Sequence, residues 1–119
     1  MADTVKIDSV DHLEPVFDSS HKKPVLIFKH SLTCPVSDAA FREYNKFLAA
    51  SDGGAVDYRL VEVQNARPVS DAIETRSGIR HESPQAILFR DGQPVWHASH
   101  FAITAKSLAE AVATHGESA

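Results

Sequence analysis

The chain contains one cysteine in 119 residues, Cys34, and so cannot close an internal disulfide. That excludes a disulfide-stapled secreted scaffold and favours a reducing, cytoplasmic setting. Apolar runs are short. Val25-Leu26-Ile27-Phe28 is typical, far below the roughly 20 residues a membrane-crossing helix needs. The first residues, Met1 to Lys6, show no basic segment followed by an apolar one, so no signal peptide is read. There is no basic excess either. Twelve Lys and Arg stand against sixteen Asp and Glu, a net charge of -4, which argues against nucleic-acid and anionic-membrane partners. Internal repeats, low-complexity tracts and linkers are missing as well.

What remains is a composition of 43% hydrophobic and 24% charged residues, enough apolar side chain for one soluble domain spanning 1–119. Val5 and Ile7 alternate as a short strand. Val10, Leu13, Val16 and Phe17 then follow helical spacing, with Ser9 or Asp11 as candidate cap. Pro15 fits only the first turn of that helix, which implies a late start. Pro24 to His30 reads as a strand buried on both faces. Pro35 opens a helix whose inner face carries Val36, Ala40, Tyr44, Phe47 and Leu48, with Phe41 beside it and Gly53-Gly54 as its stop.

Ala55 to Val63 alternates as a third strand. Val69, Ala72, Ile73 and Arg76 mark one side of a further helix that Gly78 ends. Gln85 to Arg90 and Pro94 to Ala98 form a hairpin about an Asp91-Gly92 turn. Thr104 caps a last helix with Leu108, Ala111 and Val112 inward, and Gly116 to Ala119 is expected to fray. The order is β-α-β-α-β-α-β-β-α: an α/β domain with a mixed central sheet flanked by helices. That is the thioredoxin-like architecture, in which a reactive thiol is expected at the first helix after the second strand.

Cys34 falls at that junction. Lone cysteines are commonly small buried hydrophobes, but Thr33 and Pro35 set this one at a helix start rather than on a core face. Orphan amides and the positive end of the helix dipole favour a thiolate there. Dithiol exchangers use Cys-x-x-Cys, the second thiol resolving the mixed disulfide of the first. Here the second position is Ser37, so an adduct on Cys34 needs a thiol from outside. Ser37 is either an ordinary first-turn polar residue or a hydroxyl donating to the thiolate. Pro84 opens the hairpin strand and faces the cysteine in this architecture. A cis bond there would free the N–H and C=O of Ser83 for an extended substrate.

Other candidates are weaker. His30 as general base to Cys34 in a hydrolase lacks an acidic orienter. His97 and His100, with His81 nearby, suggest a metal cluster, but residues three apart on a strand face opposite ways, so no metal site is read. Lys29 is equally a charge near the sulfur or a solvated strand-end lysine, and Trp96 a core or edge aromatic.

Phe28-Lys29-His30-Ser31 followed by Thr33-Cys34-Pro35-Val36-Ser37 resembles the monothiol bacilliredoxin family of the bacillithiol redox system. The family pattern is Phe-Lys-His-Ser leading to Thr-Cys-Pro-Ile-Ser, and only Val36 departs from it. Ser83-Pro84-Gln85 is similar to the family's proline loop. The resemblance implies a monothiol oxidoreductase that takes bacillithiol from protein mixed disulfides through Cys34. Bacillithiol would be co-substrate rather than tightly bound cofactor, and thiolated client proteins the partners of a monomer. Lys29, His30, Arg80 and His81 are then the candidate contacts for the thiol. Rival readings are a non-catalytic thioredoxin-like stress module with a thiolatable cysteine, and a monothiol glutaredoxin-like iron–sulfur carrier.

Overall fold

A computed structural model describes residues 1–52 and 54–115. Strand β1 (Thr4–Lys6) leads through a 3-10 turn (Val10–His12) into α1 (Leu13–Ser19), so Pro15 lies in the first helical turn. Then come β2 (Val25–His30), α2 (Pro35–Ala50), β3 (Asp57–Glu62), α3 (Arg67–Ser77), β4 (Gln85–Arg90) and β5 (Gln93–Ser99). A second 3-10 turn (His100–Ala102) and α4 (Ala105–His115) complete the chain, in the order expected. The five-stranded sheet runs β1-β3-β2-β4-β5. Its first three members are parallel, while β4 and β5 are antiparallel to their neighbours.

Central β2 explains its own sequence. All six residues are buried, because helices cover both faces of the sheet. Leu26 and Phe28 join Tyr44, Phe47 and Leu48 of α2 and Leu108 and Ala111 of α4. Val25 and Ile27 point the other way, with Ile87 and Phe89, onto Leu13, Val16 and Phe17 of α1 and Val69 and Ile73 of α3. The Phe28 and Tyr44 rings stack at 4.7 Å. Removing one such side chain to alanine costs about 2–5 kcal/mol.

Local signals set most element ends. Gly78 closes α3 at φ 72°, a left-handed conformation that glycine adopts without strain. Asp91 (φ 55°) and Gly92 (φ 76°) make the hairpin turn with two positive φ values. Thr104 and Ser107 exchange backbone-to-hydroxyl bonds of 3.0 and 2.9 Å, so Thr104 caps α4 as expected.

Some expectations fail. Val10 is 44% exposed, because it lies on the 3-10 turn instead of the α1 face. Helix α2 ends at Ala50 with Ser51 extended as its cap, ahead of Gly54; Gly53 lies outside the described residues, as do Gly116 to Ala119. Arg76 does lie on the α3 side that carries Val69 and Ile73, with its guanidinium 5.0 Å over the Phe17 ring. Val36 is half-buried, and Ser37 takes the inner position at 0% exposure.

Candidate active site

Parallel pairing aligns the C-terminal ends of β1, β3 and β2, and the segment bearing Cys34 leaves from that end. Cys34 is the N-cap of α2, in extended conformation (φ -109°, ψ 122°), and Pro35 follows as the first helical residue. The Cys34 carbonyl accepts the Asp38 N–H at 3.0 Å, the first bond of the helix. The sulfur makes no capping bond and is half-buried, so the helix start holds it without consuming it. Thr33 beside it is exposed.

Ser37 does not perform the role of donor to the Cys34 thiolate. Its Oγ accepts the Ser31 N–H at 2.8 Å and lies 2.7 Å from His30 Nδ1. His30 Nε2 is 4.0 Å from an Asp38 carboxylate oxygen, which favours the proton on Nε2. Nδ1 then accepts, and the Ser37 hydroxyl proton goes to His30. The His30 ring is stacked at 4.4 Å on Phe41, and desolvation holds its pKa below the usual value against the pull of Asp38 and Glu62. Serine at this position therefore ties the loop 31–33 to α2.

Gln64, unmarked in the sequence, ties the same loop from the turn after β3. Its Oε1 accepts the Leu32 N–H at 3.0 Å, and its Nε2 donates to Ser31 Oγ at 2.8 Å and Thr33 Oγ1 at 3.3 Å. A polar residue just past a strand carries no periodic signal, so only the fold reveals it.

The proline loop meets β2 from the other side. Gln85 pairs with Lys29 across the antiparallel ladder, which brings Ser83 and Pro84 beside the end of β2. The Ser83–Pro84 bond is cis. The Pro84 carbonyl accepts the His100 N–H at 3.1 Å, while Ser83 enters no backbone hydrogen bond among the described residues. Ser83 Oγ is buried without a partner.

Lys29 is neither a strand-end lysine in solvent nor a contact for a soluble thiol. It is wholly buried, on the sheet face opposite to His30, which is itself only 5% exposed. Burial depresses the Lys29 pKa to about 8, although Glu74 and Asp71 raise it. Its Nζ lies 3.1 Å from His81 Nδ1. Of the four residues expected to touch the thiol, Arg80 is exposed and His81 half-buried, whereas Lys29 and His30 are out of reach. Among the described residues no cluster of His, Cys, Asp or Glu could hold a metal ion. No described helix is long and apolar enough to cross a membrane.

Sheet order, helix layers and a cysteine capping the helix after β2 define the thioredoxin fold. A candidate oxidoreductase with that fold is 40% identical to the chain and superposes with a TM-score of 0.80 over 91% of this chain and 92% of its own. The thioredoxin of Malassezia sympodialis matches at TM-score 0.73 and 21% identity over 98% and 93% of the two chains. A Schistosoma mansoni thioredoxin matches at TM-score 0.73 and 11% identity, over 95% and 98%. At these lower identities the likeness shows the fold alone. The family model for monothiol bacilliredoxin BrxC matches residues 5–108. The chain belongs to the monothiol bacilliredoxin family, which supports a thiol-disulfide oxidoreductase role.

Proposed function

We propose that this protein removes bacillithiol from protein mixed disulfides by a one-cysteine exchange at Cys34. The observation that carries the reading is a solitary, half-buried thiol at a helix N-cap, with Ser37 where a resolving thiol would stand. The Cys34 thiolate attacks the bacillithiol sulfur of the mixed disulfide. An S–S bond forms between Cys34 and bacillithiol, the original S–S bond breaks, and the client leaves as a thiolate that takes a proton from water. A second low-molecular-weight thiol then attacks the Cys34 adduct, releasing a bacillithiol disulfide and restoring the free thiolate. That cycle needs a reducing compartment stocked with the thiol, the cytoplasmic setting expected of the chain.

The open backbone of Ser83 supports client docking by strand addition beside Pro84, with Thr33 and Pro35 bordering the sulfur. With Lys29 and His30 buried and His81 Nδ1 engaged by Lys29, exposed Arg80 is the remaining contact for the bacillithiol moiety. The protein acts as a monomer on these clients. Incubation with oxidised bacillithiol followed by intact-mass measurement tests the exchange. A mass increase at Cys34 that reductant removes is expected. A native protein that stays unmodified while its denatured form reacts refutes the proposal.

A further inference from the structure

The buried Lys29 cluster lies outside the chemistry assigned above and connects directly to the loop that the chemistry uses. Lys29 is wholly excluded from solvent in mid-sheet, where an unpaired ammonium is costly. Its hydrogen-bond partner is His81 Nδ1 at 3.1 Å. Ser70 Oγ of α3 lies 3.1 Å from the same nitrogen. The His81 backbone N–H donates to Glu74 Oε2 at 2.7 Å, and Gln85 Nε2 donates to the Arg80 carbonyl at 3.0 Å. The segment that ends in Ser83–Pro84 is thus held at residues 80 and 81 by β2, α3 and β4 together.

An ammonium can only donate, so His81 Nδ1 must accept, and the imidazole is neutral with its proton on Nε2. Burial and the Lys29 charge both lower the His81 pKa, in agreement with that state. Asp71 and Glu74 of α3 face the ammonium and stabilise it, whereas Arg67 of the same helix opposes a charged His81. The flanking neighbours in the sheet, Val61 of β3 and Gln85 of β4, carry no charge.

We infer that Lys29, acting through His81, is a positioning residue that holds the Ser83–Pro84 loop at the Cys34 end of the sheet for client binding. This rests on the exchange reading given above. The link is intact when Lys29 is charged and His81 neutral. Above about pH 8 Lys29 loses its proton; the neutral amine still donates to Nδ1, but without the charge and the attraction of Glu74 and Asp71 the link weakens. At acid pH a protonated His81 turns an N–H toward the ammonium and the link opens.

The test compares kcat/KM for dethiolation of a bacillithiolated client by wild type, Lys29→Met, His81→Leu and His81→Gln from pH 6 to 10. Lys29→Met is expected to lose about tenfold at pH 7, mainly through a higher KM. The wild-type advantage should shrink as pH rises through about 8. His81→Leu should match Lys29→Met, the double variant should be no worse than either, and His81→Gln, which keeps an acceptor, should recover most of the rate. A folded Lys29→Met with wild-type KM and a constant ratio across pH overturns the inference. If wild type shows no dethiolation, the exchange reading fails instead. The link is then judged by the Ser83 amide resonance, which should titrate near pH 8 in wild type and not in Lys29→Met. An amide shift that does not titrate, or one that titrates alike in both proteins, refutes the link.

Discussion

Replacing Lys29 by methionine should change how stability depends on pH, by an amount the structure supplies. The side chain is wholly buried, and desolvation lowers its pKa from 10.5 to about 8 despite Glu74 and Asp71. Below about pH 8 both folded and unfolded chains hold the proton, and the penalty for burying the charge is present in full. Between 8 and 10.5 the folded chain has released the proton while the unfolded chain keeps it. Stability therefore rises with pH across that window, by about 3 kcal/mol at ~1.36 kcal/mol per pH unit. Methionine fills a similar volume and does not titrate. Urea denaturation of both proteins at a series of pH values gives the two curves. Their difference should move by about 3 kcal/mol in favour of wild type from pH 7.5 to 10.5, because every other group is common to both proteins. Parallel curves would refute the reasoning, because they would mean that Lys29 ionises as it does in water.

Three further outcomes follow from the loop around Cys34. Ser37→Ala leaves the buried Ser31 N–H and His30 Nδ1 unpartnered and should cost about 1–3 kcal/mol in urea denaturation. Gln64→Ala removes three bonds to residues 31–33, so hydrogen exchange at the Leu32 amide should accelerate, about tenfold for a lost bond of about 1.4 kcal/mol. His30 and His81 both bind protons more weakly in the folded chain, so stability should fall as pH drops below 6.5, and His30→Gln should flatten that acid limb in the same denaturation series.

The parts of the fold that were legible in the sequence are those written in neighbouring residues. Pro35 opening α2, Gly78 closing α3, Asp91-Gly92 turning the hairpin and Thr104 capping α4 each rest on backbone chemistry within a few positions. The continuous apolar run of β2 announced burial on both faces. The site was legible at Cys34 and at the cis Ser83–Pro84 bond. Cys34 followed from its helix-start context, but the surrounding network is tertiary. Lys29 follows an apolar run and looks like its solvated end, yet its alternation with Phe28 and His30 turns it into the α3-side layer. Ser37 lies three residues before Ala40 and seven before Tyr44, so extending the inner stripe of α2 backwards reaches it as readily as Val36. Polarity, not spacing, hid it. Gln64 had no periodic signal, because its importance comes from strand β3 lying beside β2.

The central claim is that one sulfur both takes the thiol from a client and passes it on. The most direct measurement is the rate at which a bacillithiolated client is reduced by free bacillithiol with catalytic amounts of wild type or of Cys34→Ser. Multiple turnovers by wild type, faster than bacillithiol alone, are predicted, with the Cys34→Ser rate equal to the uncatalysed one. A wild-type rate no faster than bacillithiol alone, even if Cys34 becomes thiolated, would contradict the account and leave that cysteine a passive site of modification.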